Sequence, residues 1–363
     1  MCNYKKIIFS DFSRDIWCEL KASSLPILIY GMGNGADKII AVFERYGIEY
    51  QDFFASDGFV RGHSFHGKTV LSYSQAVEKY PRGFDIVVSF GSKLPDVIEK
   101  IVSLQEKHKV FSPDVPVCGT ELFNEEFFDT HEAELFAARE LLCDEKSKQT
   151  FDNVVRYKLT GRLDYLMSSA SDEAEADSLL KCNDYEIYAD LGAYNGDTIK
   201  KYTALCPKIS KIYAFEPDAR NFKKLSKYCE ENSINAVLLN NPACDKDKML
   251  EFSASGNRNS SGASAGSFEH KTVQIEGKAL DNVAERVDFI KYDVEGLEYE
   301  ALIGSKNLIS NCAPDLLVSM YHKSEDMYLL PLLVNKLSDK YNLYLRRLPY
   351  VPAWDLNLYA IKK

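Results

Sequence analysis

The chain is 363 residues long, with 54 acidic against 44 basic residues and a formal net charge of −10 at pH 7. That length exceeds one typical domain, so two cores are expected, and 45% hydrophobic with 27% charged residues is the composition of a soluble globular enzyme. The acidic balance argues against nucleic acid as a partner, because neutralising phosphates needs a Lys/Arg surface.

In chain order, Phe9, Phe12, Ile16, Trp17 and Leu20 recur at helical spacing and predict one short packing helix over residues 7–20. LPILIY (25–30) predicts a buried strand. GMGNGA follows as a turn with Gly-x-Gly-x-x-Ala at Gly31, Gly33 and Ala36, and ADKIIAVFERYG as a helix closed by Gly47. EYQDFFASD is the next strand and ends near Asp57. Strands FDIVVSFG and HKVFSP and the helix LPDVIEKIVSLQEK complete an alternation that signals a parallel sheet. In the loop between, His63 and His66 have no acidic or thiol ligands beside them in sequence, so no metal is assigned to them.

Leu135, Ala138 and Leu142, then Phe151, Val154, Val155 and Leu159, keep helical periodicity, with Asp129 and Glu132 as a start signal. ASDEAEADS (170–178) reads as a linker. Beyond it, strands EIYADL, KIYAFE, AVLLNNPAC, MLEFSA, TVQIEGKAL, RVDFIKYD and PDLLVSMY are interspersed with helices DTIKKYTALC, ARNFKKLSKYCEENS, LEYEALIGSKNLI and LLPLLVNKLSDKY. Asp218 is the expected N-cap of the second helix. SASGNRNSSGASAGS (253–267) is predicted to be a flexible surface loop that gates the acceptor. The last strands, NLYLRRL and LNLYAIKK, are separated by too few residues for a parallel crossover and must pair antiparallel. The expected domains are a Rossmann-like α/β domain (1–119), a helical connector (120–182) that bridges and covers, and a second α/β domain (183–363).

Nine scattered cysteines without a Cys-x-x-Cys pair read as reduced thiols of a cytoplasmic protein. The N-terminus MCNYKKIIFSDFSRD is charged throughout, and no apolar run approaches ~18 residues, so neither a signal peptide nor a membrane span is expected.

Chemistry concentrates in YADLGAYNGDT (188–198) and AFEPD (214–218). The first is a strand ending on Asp190, followed by a small-residue turn. The second ends on Glu216, at the spacing of a ribose-binding acid in a βαβ unit. Together they imply an adenosine-type ligand. Gly192 and Gly196 stand four apart, which does not match the Gly-x-Gly-x-x-Gly of pyrophosphate binding, and Asp190 and Asp197 repel a pyrophosphate but tolerate a sulfonium. The reading is therefore S-adenosylmethionine. Ala193, Tyr194, Asn195 and Thr198 complete the turn, and Pro217 and Asp218 follow the acid, as further donor contacts. Asp293 and Glu295 end another strand, where α/β proteins bind ligands. Their alternative role is to cap the helix beginning near Leu297, and a metal held by the pair is the less favoured option. His322 ends PDLLVSMY and is the candidate general base, with a reference pKa near ~6.5.

The ordered strings DLGAYNGDT, FEPDARNFKKL, VDFIKYDVEGLEYEALIG and PDLLVSMYH resemble the FkbM-type methyltransferases over about residues 183–363. Most specific is the run formed by Lys291, Asp293, Glu295, Gly296 and Glu298. The resemblance implies a seven-stranded class I methyltransferase sheet with an antiparallel final hairpin, and O-methylation of a hydroxyl on a sugar, glycan or related metabolite. It also implies donor contacts at Asp190, Gly192, Asn195, Gly196 and Glu216, with an acceptor side at Asp293 and Glu295. The chain departs from the family in placing Tyr194 and Asn195 in the turn. Two other readings stay open: an NAD(P)- or sugar-nucleotide-dependent oxidoreductase or epimerase working from Gly31 to Asp57, and a non-catalytic donor-binding scaffold. Homo-oligomerisation is left open too.

Overall fold

In the computed structural model, which describes residues 4–60, 62–253 and 272–363, five short strands form a first, wholly parallel sheet. They are β1 (Ile27–Tyr30), β2 (Asp52–Ala55), β3 (Leu71–Ser72), β4 (Asp85–Val88) and β5 (Val110–Phe111), in the order β3-β2-β1-β4-β5. β1, β2 and β4 are buried at every position, as strands covered on both faces must be. The helix after β1, α1 (Asn34–Tyr46), ends as expected on Gly47 in a left-handed conformation (φ 64°), whose N–H satisfies carbonyls of the last turn.

Two long helices, α2 (Glu125–Glu140) and α3 (Glu145–Thr160), then cross between the sheets. α3 is fixed to the second sheet by polar contacts. Ser147 Oγ accepts from Leu345 N (2.9 Å), and the Arg346 guanidinium reaches Asp144 (2.7 Å) and Glu175 (2.9 Å). At its other end the buried Lys158 ammonium meets Asp114 at 2.6 Å.

The second sheet contains β6 (Ile187–Leu191), β7 (Lys211–Phe215) and β8 (Ala236–Leu239), bracketing α4 (Asp197–Leu205) and α5 (Ala219–Glu231). A separate antiparallel ribbon, β9 (Lys248–Ser253) with β10 (Thr272–Gly277), precedes β11 (Phe289–Tyr292). α6 (Glu298–Ile303), β12 (Asp315–Ser319), α7 (Asp326–Leu337), β13 (Tyr341–Arg347) and β14 (Leu356–Lys362) follow. The order is β8-β7-β6-β11-β12-β14-β13, parallel up to β12, with β14 antiparallel to both its neighbours. This is the expected seven-stranded arrangement with its final hairpin. One apolar cluster runs through Leu28 and Ile86 of the first sheet, Leu135 and Phe151 of the crossing helices, and Ile290 and Leu316 of the second sheet.

Four local expectations are corrected. Residues 7–20 are not one helix: Tyr4–Ile8 and Ile16–Lys21 are separate, because Asp15 takes an extended conformation and caps the second through Cys18 N. The start signal at Asp129 lies inside α2, whose N-cap is Asn124. The acidic run at 170–178 contains a short helix, Glu173–Asp177, capped by Asp172. Cys182 and Cys206 are joined by a disulfide, which brings the segment before β6 to the end of α4. Residues 254–267 of the expected gating loop lie outside the described residues. Among the described residues no helix is long and apolar enough to cross a membrane.

Leu135 is fully buried in the shared cluster, so Leu135→Ala is expected to cost about 2–5 kcal/mol of unfolding free energy. Urea denaturation of the two proteins measures it.

Candidate active site

The carboxyl ends of β6, β7, β11 and β12 open onto one cleft of ≈ 360 Å³, within the roughly 300–1,000 Å³ range of small-molecule sites and at the sheet edge where α/β folds bind ligands. β6 delivers Asp190, which is wholly buried. The Thr198 hydroxyl donates to its Oδ2, while Oδ1 has no hydrogen-bond partner. Burial pushes the Asp190 pKa up, against the pull of Lys291 and Thr198.

The turn after Asp190 needs glycine for a reason the sequence did not reveal. Gly192 has φ +93°, and a Cβ there would stand 1.9 Å from the Asp293 carbonyl oxygen. Gly196 has φ +90°, and its Cβ would strike the Tyr228 ring at 2.6 Å. Both glycines let the turn close against neighbouring elements of the chain. Gly192 still lines the cleft.

Glu216, at the end of β7, is held by two backbone donors, Tyr194 N to Oε2 and Asp218 N to Oε1, each at 2.8 Å. Burial pushes its pKa up to about 7, with Asp218 and Asp190 adding to the rise and those two N–H groups opposing it. Asp218 N-caps α5 as expected, accepting from Arg220 N (2.9 Å) and Asn221 N (3.0 Å).

Across the cleft, Lys291 on β11 is the register partner of Asp190 on β6. Its Nζ lies 3.7 Å from Asp190 Oδ1 and 3.2 Å from Asp293 Oδ2. Burial works against the ammonium, but Asp293 and Asp190 outweigh it and raise its pKa. Tyr321 donates to Asp293 Oδ1 (3.1 Å). Asp293 remains below the usual carboxylate range, because Lys291 and His322 overcome its burial.

Neither Asp293 nor Glu295 caps the next helix. α6 has no side-chain cap, and Glu298 instead accepts from Val294 N (2.8 Å). Glu295 adopts a left-handed backbone conformation (φ 52°). Its carboxylate accepts no hydrogen bond among the described residues, and burial first, then Asp293 and Glu298, push its pKa up to about 7.

His322 is 1% exposed. Its Nε2 lies 3.6 Å from both Asp293 Oδ1 and Glu295 Oε2, and its Nδ1 lies 2.9 Å from Glu298 Oε1, close but misaligned for a directed hydrogen bond. Burial disfavours the imidazolium, yet Glu298, Glu295 and Asp293 outweigh it and push the pKa up to about 10. Three surrounding carboxylates thus give the ring a higher proton affinity than the near-neutral one expected of a general base.

Of the expected site residues, Gly192, Tyr194, Asp197, Thr198, Glu216, Pro217, Asp293, Glu295 and His322 line the cleft, whereas Asp190, Ala193, Asn195, Gly196 and Asp218 do not. Lining residues missed in the sequence come from far along the chain: Lys93 and Val117 follow strands of the first sheet, Glu173 sits on the short helix, and Tyr350 and Trp354 lie in the β13–β14 connection. Only Lys93 had a legible signal, its place after the carboxyl end of β4. The first-sheet segment also clamps the acceptor-side loops. Cys118 N donates to His322 O (2.9 Å) and the Cys118 thiol to Glu295 O (3.1 Å).

At the alternative site, from Gly31 to Asp57, Gly33 is open while Asp57 lines a second, smaller cavity of ≈ 130 Å³. Cβ atoms at Gly31 and Gly35 would meet Ser89 Oγ at 2.8 Å and Ser89 O at 2.0 Å, and the Asp57 carboxylate accepts from Ser74 N (3.1 Å) and Ser74 Oγ (2.9 Å). His66 pairs with Asp37 (2.7 Å).

Residues 190–350 match the profile of the methyltransferase FkbM domain. A solved structure of methyltransferase FkbM from Methylobacillus flagellatus KT superposes with a TM-score of 0.71 at 19% identity, over 95% of this chain and 92% of that one. The likeness in fold thus takes in the first sheet as well as the second. An rRNA methylase from Streptococcus thermophilus (TM-score 0.34, 15% identity, 52% of this chain and 94% of that one) overlaps about half of the chain. So does a putative rRNA-methylase from Clostridium thermocellum (TM-score 0.35, 10% identity, 53% and 97%). No curated protein matches the sequence. The family match thus rests on residues 190–350, the stretch similar to the methyltransferase FkbM domain, while the likeness over the rest of the chain is one of fold.

Proposed function

We propose that the protein is an S-adenosylmethionine-dependent O-methyltransferase acting on a hydroxyl of a sugar, glycan or related metabolite. The observation that carries this reading is Glu216. Each of its oxygens is aimed by one backbone N–H, and each keeps a lone pair for one of the two hydroxyls of a ribose. The charge of the cleft supports the same donor. Six carboxylates (Glu173, Asp197, Glu216, Asp293, Glu295 and Asp355) line it against three lysines and His322, a field that favours a cationic ligand and opposes a pyrophosphate. The orphaned Oδ1 of Asp190 adds to that field from behind the turn.

Bound there, S-adenosylmethionine supplies a methyl group already activated by the sulfonium charge. What the chain contributes is orientation and proton removal. Glu216 fixes the ribose, with Tyr194, Pro217 and Thr198 along the same wall. Glu295 is the base for the acceptor hydroxyl. Its side chain is 30% exposed, and its carboxylate is unengaged by hydrogen bonds, whereas the His322 side chain, also on the cleft wall, is only 1% exposed. Asp293, tied down by Lys291 and Tyr321, positions the acceptor beside it. Tyr350 and Trp354, with ring centroids 5.3 Å apart, add aromatic surface to the lining of the cleft, of the kind on which the C–H face of a sugar ring packs. The helical connector is assigned a covering role through Glu173, and the division at 119/120 and 182/183 is retained as our proposal.

Calorimetry tests the donor. The protein is expected to bind S-adenosylmethionine and its demethylated product, with Glu216→Ala weakening both by about 10- to 100-fold for the lost charge-assisted bonds. Tight NAD binding without donor binding would overturn the reading. The affinity carries a pH signature as well. Hydroxyl donors favour the ionised Glu216, whose pKa sits at about 7 under burial and the charges of Asp218 and Asp190. Donor affinity should therefore be full above pH 8 and fall as pH drops through 7, and Glu216→Gln should flatten that slope. For the base, Glu295→Gln should lower turnover by about 100-fold or more while donor affinity stays within twofold. Wild-type turnover in that variant would remove Glu295 from the mechanism.

A further inference from the structure

Asp293 at the end of β11, Glu298 at the start of α6 and His322 in the loop after β12 each offer one ligand atom, and the three atoms lie within 4.8 Å of one another. Asp293 and Glu298 are close in sequence, at the turn between β11 and α6, and the parallel crossover to β12 brings His322 beside them. Acidic clusters are common and carry little meaning by themselves. Here a second observation points to a ligand: Glu298 and His322 are each 1% exposed, and Glu298 Oε2 and His322 Nδ1 are buried without a hydrogen-bond partner. Buried polar atoms are normally paired, and an orphan costs roughly 1–3 kcal/mol. A cation among these three side chains would pair the two buried atoms, with the imidazole giving up a proton as it binds.

We propose that Asp293, Glu298 and His322 form a divalent-cation site at the acceptor end of the cleft. Two carboxylate oxygens and one imidazole nitrogen suit a borderline first-row ion of the manganese, iron or zinc kind. With bonds of ~2.0–2.2 Å, the three atoms need only draw in modestly around it. Glu295, with Oε2 3.6 Å from His322 Nε2, stands at the open side. Asp293 also lines the cleft, so an ion held there would be within reach of an acceptor. There the ion lowers the pKa of an acceptor hydroxyl and orients it for Glu295. This role for the ion rests on the methyl-transfer reading, while the existence of the site does not. The site departs from the sequence-based expectation that no metal is held.

The test uses the full chain, stripped with a chelator and titrated with Mn²⁺, the free ion being followed by its six-line electron paramagnetic resonance signal. One saturable site per chain is expected, weakened tenfold or more in both His322→Gln and Asp293→Asn, each checked for wild-type circular dichroism. Absence of a stoichiometric site in the wild-type protein overturns the proposal without recourse to any variant, as does a site that survives both substitutions. Donor calorimetry on the same stripped samples separates the two claims: a Mn²⁺ site present without donor binding supports the cation site and overturns the methyl-transfer reading alone.

Discussion

Lys291 and Asp190 are neighbours across two adjacent parallel strands, and the register that pairs their backbones also brings their side chains together. The same ammonium reaches Asp293 two residues on. Burying an ammonium costs several kcal/mol unless opposite charge surrounds it, and here one cation serves two acids, one behind the donor turn and one on the acceptor wall. Removing it would take the ammonium from both acids, leaving Asp190 with the Thr198 hydroxyl and Asp293 with Tyr321 and His322. The geometry of both halves of the cleft thus depends on one side chain, whose position is set by hydrogen bonds between strands and not by a mobile loop.

Around that centre the electrostatics are graded. Asp293, with Lys291 and His322 both beside it, is held below the usual carboxylate range, whereas burial outweighs the pull of His322 on Glu295 and of two backbone N–H groups on Glu216, raising both to about 7. Three carboxylates at the ends of parallel strands therefore differ in proton affinity because of what stands next to each, a separation typical of sites that move protons.

The architecture was legible where local chemistry decides it. The short link before LNLYAIKK forced the antiparallel hairpin, and Asp218 and Gly47 announced a helix start and a helix end. The strand-end acids Asp190, Glu216, Asp293 and Glu295 were legible for the same reason, since the end of a buried strand is a fixed address. Long-range packing was not. That Gly192 makes room for the Asp293 carbonyl, that Glu298 meets His322, and that Tyr350 and Trp354 wall the cleft are all consequences of contacts between distant segments. The break between Tyr4–Ile8 and Ile16–Lys21 was hidden because apolar spacing continues across it.

Cys118 joins the strand-end segment of the first sheet to the backbones of Glu295 and His322 by two bonds, and a Cβ on Gly296 would stand only 3.0 Å from the Cys118 Cβ. The acceptor wall is in this sense a shared seam. A change of sequence in either sheet alters the shape presented to the acceptor, so the two sheets are constrained to diverge together. Exchanging the leading half for that of a distant relative would transplant part of the acceptor wall along with it.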